Sequence, residues 1–206
     1  MNNVRIVQAT GRSPLRQKPP RPNRRSIRLR GYDYSQAGAY FLTVCVQNRE
    51  CLFGEIADGQ MALNDAGKVV ADEWTKIAKI CNEIELDKWI VMPNHFHGVL
   101  VINDSVGAIH ESPLQMTVTQ RRNMELPKLI GRFKMLSSKR INEIRNTSDV
   151  KLWQRNYYEH VIRNDDELNR IREYIVNNPA KWALDRENPM VGGSRTAHTM
   201  PELETS

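Results

Sequence analysis

Val91-Met92-Pro93-Asn94-His95-Phe96-His97-Gly98-Val99-Leu100-Val101 decides how the chain is read. Two histidines flank one bulky apolar residue inside a run that otherwise reads as a strand. Side chains alternate across a strand, so His95 and His97 share one face and Phe96 turns to the other. Two imidazoles side by side on a rigid element are half of a metal site. Pro93-Asn94 is a turn pair, and Leu86 to Met92 before it reads as another strand. The segments 86–92 and 95–102 therefore form a hairpin, with the histidines entering at its tip.

Working outward, residues 39–47 are aromatic and β-branched and read as a buried strand. Leu52 to Leu63 is broken by Asp58-Gly59, a hairpin turn signal. Asn64 or Asp65 caps a helix to about Ile80, whose apolar stripe is Val69, Val70, Trp74, Ile77, Ala78 and Ile80. Residues 103–124 have no period and read as a loop or insertion. Leu126 to about Asn146 is helical, with Leu129, Ile130, Phe133, Leu136, Ile141 and Ile144 on its apolar face. Trp153 to Ile162 is strand-like. Asn164 caps a last helix, with Glu167 as reciprocal partner and Pro179 as its stop. The order strand, helix, strand, strand, helix, strand, helix matches the split βαβ, or ferredoxin-like, arrangement. The fold class is α+β: an antiparallel sheet of four to five strands, with a C-terminal helix after the core.

The 206 residues suit one domain with tails. The net charge of +6 hides an asymmetry. Residues 1–31 hold nine basic residues and no acid, which leaves 21 basic against 24 acidic residues elsewhere, a charge of −3. Pro14, Pro19, Pro20 and Pro22 oppose regular structure in this leader. The divisions are a basic, largely disordered arm over 1–30, a body over 31–186 and a flexible polar tail over 187–206. Such an arm follows a nucleic-acid backbone or is simply a solvated tail. No transmembrane run or secretory signal is read, so no membrane partner is expected. The odd count of three cysteines suits a reduced, cytoplasmic protein, with Cys45 a small buried hydrophobe.

On the last helix, Leu168, Ile171 and Ile175 mark the core stripe, and Tyr174 and Asn178 fall together at its border. An amide oxygen can complete a divalent-metal site begun by two imidazoles, with the tyrosine beside the metal. Metal-assisted attack of a tyrosine oxygen on a phosphate suits this set. Other readings stay open. Tyr174 can be a packing residue and Asn178 a helix terminator. Tyr157 and Tyr158 are rival nucleophiles, His160 a rival ligand. The basic helix 126–146 can be a solvated face.

Met92-Pro93-Asn94-His95-Phe96-His97-Gly98 resembles the histidine-hydrophobic-histidine motif of single-tyrosine transposases, in particular the REP-associated tyrosine transposases. Arg28-Leu29-Arg30-Gly31-Tyr32-Asp33-Tyr34 and Gly38 to Thr43 add to it. So do Trp153 to Arg163, Tyr174 to Pro179, and Lys181-Trp182. The likeness covers roughly residues 24–186. It implies Tyr174 as nucleophile, and His95, His97 and Asn178 as ligands of Mg²⁺ or Mn²⁺. Asparagine stands where related insertion-sequence transposases often have glutamine. It implies single-stranded or hairpin DNA (repetitive extragenic palindromes) as partner, cut to a 5′-phosphotyrosine and a 3′-hydroxyl. Arg24, Arg25, Arg28, Arg30, Arg132, Lys134, Lys139, Arg140 and Arg155 are the candidate DNA contacts. Family members are monomers or homodimers, and a nucleoid-associated place in the cytoplasm follows. The alternative is a domesticated palindrome-binding protein that does not cut. Plasmid replication or transfer enzymes rank last, because they commonly add a third histidine.

Overall fold

The computed structural model describes residues 37–80, 84–103 and 125–191. The basic arm, with Arg24, Arg25, Arg28 and Arg30, lies outside the described residues. So do most of the expected loop, 104–124, and the tail from 192.

The main strands are β1 (Gly38–Cys45), β4 (Ile84–Val91), β5 (His95–Ile102) and β6 (Tyr158–Ile162). A separate hairpin holds β2 (Gly54–Ala57) and β3 (Gln60–Leu63). Its turn has positive φ at both Asp58 and Gly59, 51° and 71°, the geometry that matches strand twist in a two-residue loop. The helices are α1 (Asp65–Thr75), a short α2 (Ile77–Ile80), α3 (Glu125–Ile144) and α4 (Asp165–Asn177). The large sheet runs β4-β5-β1-β6, with every neighbour antiparallel. This is the strand order of a split βαβ fold, and the sheet has four strands.

The expected last strand is shorter than its aromatic content suggested. Trp153 makes only an isolated bridge to Val46, and the ladder begins at Tyr158. The cause is Lys134, whose ammonium takes the carbonyls of Gln154 (2.5 Å) and Arg155 (3.1 Å). Carbonyls turned toward a helix are lost to a ladder. The helix expected through Ile80 breaks after Thr75 and resumes at Ile77. Ile144, placed on the apolar face of α3, is the last residue of the helix and is 51% exposed. Pro179 ends α4, but the chain continues as a 3-10 turn over Pro179–Leu184.

The two sheet faces carry different covers. Val70 and Trp74 of α1 and Ile130 and Phe133 of α3 pack on Tyr40, Leu42, Val44, Phe96 and Leu100. On the opposite face, Ile171 and Ile175 of α4 cover Phe41, Val99 and Ile162. Phe96 sits 4.5 Å from Trp74 and 5.4 Å from Phe133, ring to ring. Gly98 is required by this contact: a Cβ there would stand 2.8 Å from the Phe96 ring and 2.9 Å from Trp74. Helix α4 is tied to β4 by Arg172, whose guanidinium grips both carboxylate oxygens of Asp87. That pairing lowers the Asp87 carboxyl below its ordinary range, against the opposing effect of burial.

Two outcomes follow. Gly98→Ala forces aromatic rings apart and is expected to cost about 1–3 kcal/mol in urea unfolding. Asp87→Asn is expected to cost about 1 kcal/mol or less, because Arg172 is partly exposed and solvent screens the pair. A carboxylate with a lowered folded-state pKa stabilises above its unfolded pKa, so the difference between wild type and Asp87→Asn fades below about pH 4.

Candidate active site

Strand alternation sends His95 and His97 to the face that α4 covers. In the register, Cys45 lies beside His95 and Thr43 beside His97. Both histidines are buried, at 0% and 3% exposure. Buried imidazoles need hydrogen-bond partners, and these partners settle which nitrogen faces the site. Asn94 Nδ2 donates to the carbonyls of Arg49 (3.0 Å) and Glu187 (2.6 Å). Its Oδ1 therefore faces His95 Nδ1, at 2.9 Å. An amide oxygen only accepts, so His95 Nδ1 holds the proton and Nε2 of the neutral ring turns a lone pair to the site.

His97 Nε2 lies 3.0 Å from His95 Nε2. Two lone pairs do not face each other at that distance. Either a proton on His97 Nε2 or a cation fills the gap. Thr43 Oγ1, 2.9 Å from His97 Nδ1, serves both cases, because a hydroxyl can donate or accept.

Helix α4 brings the tyrosine. Its N-cap is Asn164, whose side chain accepts from Glu167 N. Glu167 in turn accepts from Arg163 N and pairs with His160 at 2.7 Å, so His160 is engaged at the helix start. One stripe of α4 is buried on the sheet, and Tyr174 falls at its edge over His97. The phenol oxygen lies 3.3 Å from His97 Nε2, with the Phe41 ring edge-on at 6.1 Å. Burial pushes the Tyr174 phenol well above its ordinary range, and the Asp185 carboxylate adds to this. A hydrogen bond with the Asn178 side chain works the other way. Asn178 is the C-cap of the helix and is 3% exposed. Its Oδ1 is buried with no hydrogen-bond partner among the described residues.

The sequence reading did not include Asp185. After the 3-10 turn, Asp185 Oδ1 accepts from Glu187 N at 2.7 Å, and Oδ2 lies 4.0 Å from His95 Nε2. His95, His97 and Asp185 offer ligand atoms that all lie within 4.8 Å of one another. The segment is fastened by Asn94 and by Arg49, which pairs with Glu187 at 3.2 Å and donates to the Arg186 carbonyl. The packed chain therefore runs beyond 186, where a flexible tail was expected to start. Cys45 is buried as expected. Burial and the neighbouring Glu187 push its thiol up, so it stands as a neutral S–H donor to Glu187.

The donor set fits a divalent cation. It offers two imidazole nitrogens, a buried carboxylate, and an unpartnered buried amide oxygen beside the tyrosine. The rival tyrosines stand apart from this group: Tyr157 packs against the other sheet face, and Tyr158 lies across Phe41 at 6.4 Å.

The candidate DNA contacts in the described residues lie elsewhere. Arg132 and Lys139 are exposed on α3, and Arg155 is exposed in the loop before β6. Lys134 holds the loop carbonyls, and Arg140 pairs with Asp72 and Glu73 of α1. Helix α3 covers the sheet face opposite the histidines.

The chain is similar to the IS200-like transposases: that family's model matches residues 109–178. That family consists of DNA-processing enzymes and is generally metal-dependent. A Haemophilus influenzae protein of undefined function is 40% identical over 168 residues, covering 80% of this chain and 92% of its own length. A second H. influenzae protein, "Putative REP-associated tyrosine transposase", is 27% identical over 152 residues, covering 72% and 74%. Among solved structures, a REP-associated tyrosine transposase bound to a REP hairpin aligns with TM-score 0.49 and 17% identity, covering 79% of this chain and 75% of that one. A Deinococcus radiodurans transposase structure aligns with TM-score 0.41 and 18% identity, covering 73% and 95%. No helix among the described residues is long and apolar enough to cross a membrane.

Asn94→Ala tests the support of the histidines. It strands two carbonyls and the His95 Nδ1–H in a buried site, so urea unfolding is expected to show a loss of about 2–4 kcal/mol.

Proposed function

We propose that this protein is a metal-dependent single-stranded DNA nicking and joining enzyme with Tyr174 as nucleophile. Its substrate is DNA that folds into a palindromic hairpin. The observation that carries the reading is the Tyr174 phenol, 3.3 Å from His97 Nε2 and one helical turn from the unpartnered Asn178 Oδ1. The hairpin class is supported by the relative whose printed name is REP-associated, and by the motif likeness of residues 24–186.

His95, His97 and Asn178 would hold Mg²⁺ or Mn²⁺, and such an ion supplies Lewis-acid polarisation of a scissile phosphate. The chain's own groups do the rest. Asn94 and Thr43 hold the imidazoles in register. Phe41 and the sheet exclude water from one side of the phenol. Asn178 orients the phenol and, through its hydrogen bond, opposes the rise in its pKa. The Tyr174 oxygen forms a bond to phosphorus, the P–O3′ bond breaks, the phenol gives up its proton, and the leaving 3′ oxygen gains one. The 5′-phosphotyrosine keeps the bond energy, so a second 3′-hydroxyl can rejoin the strand. Arg24, Arg25, Arg28, Arg30, Arg132, Lys139 and Arg155 are proposed to contact the DNA backbone. A phosphate reaching Lys134 or Arg140 would displace their intramolecular partners.

The test is a covalent adduct. A hairpin-bearing single-stranded oligonucleotide, incubated with the protein and Mg²⁺ or Mn²⁺, is expected to give a band shifted on denaturing gels. Tyr174→Phe and EDTA each abolish the band, while hairpin retention on native gels survives Tyr174→Phe. An adduct from Tyr174→Phe refutes the nucleophile. Retention without any adduct across metals and oligonucleotides replaces the reading with a binding protein that does not cut.

A further inference from the structure

Asp185 stands outside the ligand set that the motif likeness implies, yet it is built into the same centre. Its side chain is 8% exposed. A buried carboxylate is costly unless its oxygens have partners or a cation. One oxygen has the Glu187 amide, 2.7 Å away. The other looks at His95 Nε2 from 4.0 Å, which is too long for a hydrogen bond. It is not too long for two donors on one ion, since donors at about 2.1 Å can stand up to roughly 4.2 Å apart. The lone pair of His95 Nε2 faces the same space, because Asn94 holds the proton on Nδ1.

The segment is anchored as a ligand-bearing loop would be. Asn94 binds the Glu187 carbonyl with the same side chain that orients His95. Arg49 takes the Arg186 carbonyl, and Asn188 ties back to the Trp182 carbonyl. One residue thus positions both a histidine and the carboxylate loop.

We propose that Asp185 is a ligand of the divalent cation and supplies the only formal negative charge of the donor set. The inference rests on the metal reading given above. His95 and His97 are neutral when they ligate, and Asn178 is neutral. Without Asp185 the set would have no net charge to draw a cation before DNA phosphate arrives. With it, the full chain binds the cation in the absence of DNA. The competing role for Asp185 is a plain counter-charge to a protonated His95, which would compete with a cation rather than help it.

The test is Mn²⁺ binding to the DNA-free full chain, followed by the electron paramagnetic resonance signal of free Mn²⁺. Wild type, Asp185→Asn, Asp185→Glu and His97→Ala are compared. Asp185→Asn keeps size and the acceptor for Glu187 N, and circular dichroism reports whether each variant is folded. Asp185→Asn is expected to weaken Mn²⁺ binding at least tenfold, and Asp185→Glu to weaken it less. The Mn²⁺-induced rise in melting temperature is expected to shrink in the same order. Wild-type affinity, or a gain, in Asp185→Asn with loss in His97→Ala overturns the ligand role of Asp185 and leaves the histidine site standing. Absence of Mn²⁺ binding in wild type overturns both.

Discussion

The structure depends on the placement of Phe96. It is fully buried between Trp74 of α1 and Phe133 of α3, and a glycine two residues on clears the space for it. Once that ring is fixed on one face, a period of two obliges His95 and His97 to face the other. A one-residue slip of β5 would bury two imidazoles among aromatic rings and expose Phe96 to the polar site. The apolar core on one side therefore determines the chemistry available on the other.

Burying two histidines has a cost that the rest of the site offsets. The polar residues around them are consecutive or cross-strand neighbours of the motif: Asn94 directly before it and Thr43 opposite it. Each fixes a ring through Nδ1 and leaves Nε2 toward the centre. The 185–188 segment then closes the site with Asp185, fastened through Asn94 and Arg49. The site is thus assembled from β5, β1, α4 and the 185–188 segment, held by short hydrogen bonds rather than by one continuous element.

Much of this was legible in the sequence, and the limits have physical causes. The element order was recoverable because strand and helical periods alternate from Ala39 to Ile102 and resume in the helices over 126–146 and 165–177. The histidine face followed from alternation alone, and Tyr174 with Asn178 followed from helical spacing. The start of β6 was not legible. Its aromatic content between Trp153 and Tyr157 serves the core beside Phe53 and Phe133 without a ladder, and Lys134, nineteen positions before Trp153, takes the carbonyls. The roles of Lys134 and Arg140 within the fold were hidden for the same reason: a basic helix face looks the same whether its partners are carbonyls, carboxylates or phosphates. Asp185 gave no local signal. It lies seven residues beyond Asn178, and the tertiary links through Asn94 and Arg49 bring it to His95.

The electrostatics of the centre join the Tyr174 phenol to the acidic 185–187 segment. Burial and Asp185 raise the Tyr174 pKa, with Glu187 contributing in the same direction. A phenolate formed there would add a negative charge beside two carboxylates in a poorly solvated space, so the resting phenol is protonated. One group that disfavours the phenolate, Asp185, also belongs to the candidate donor set. In the proposed reaction, His95 and His97 would hold a cation whose charge would offset the carboxylates, the part of the rise that comes after burial.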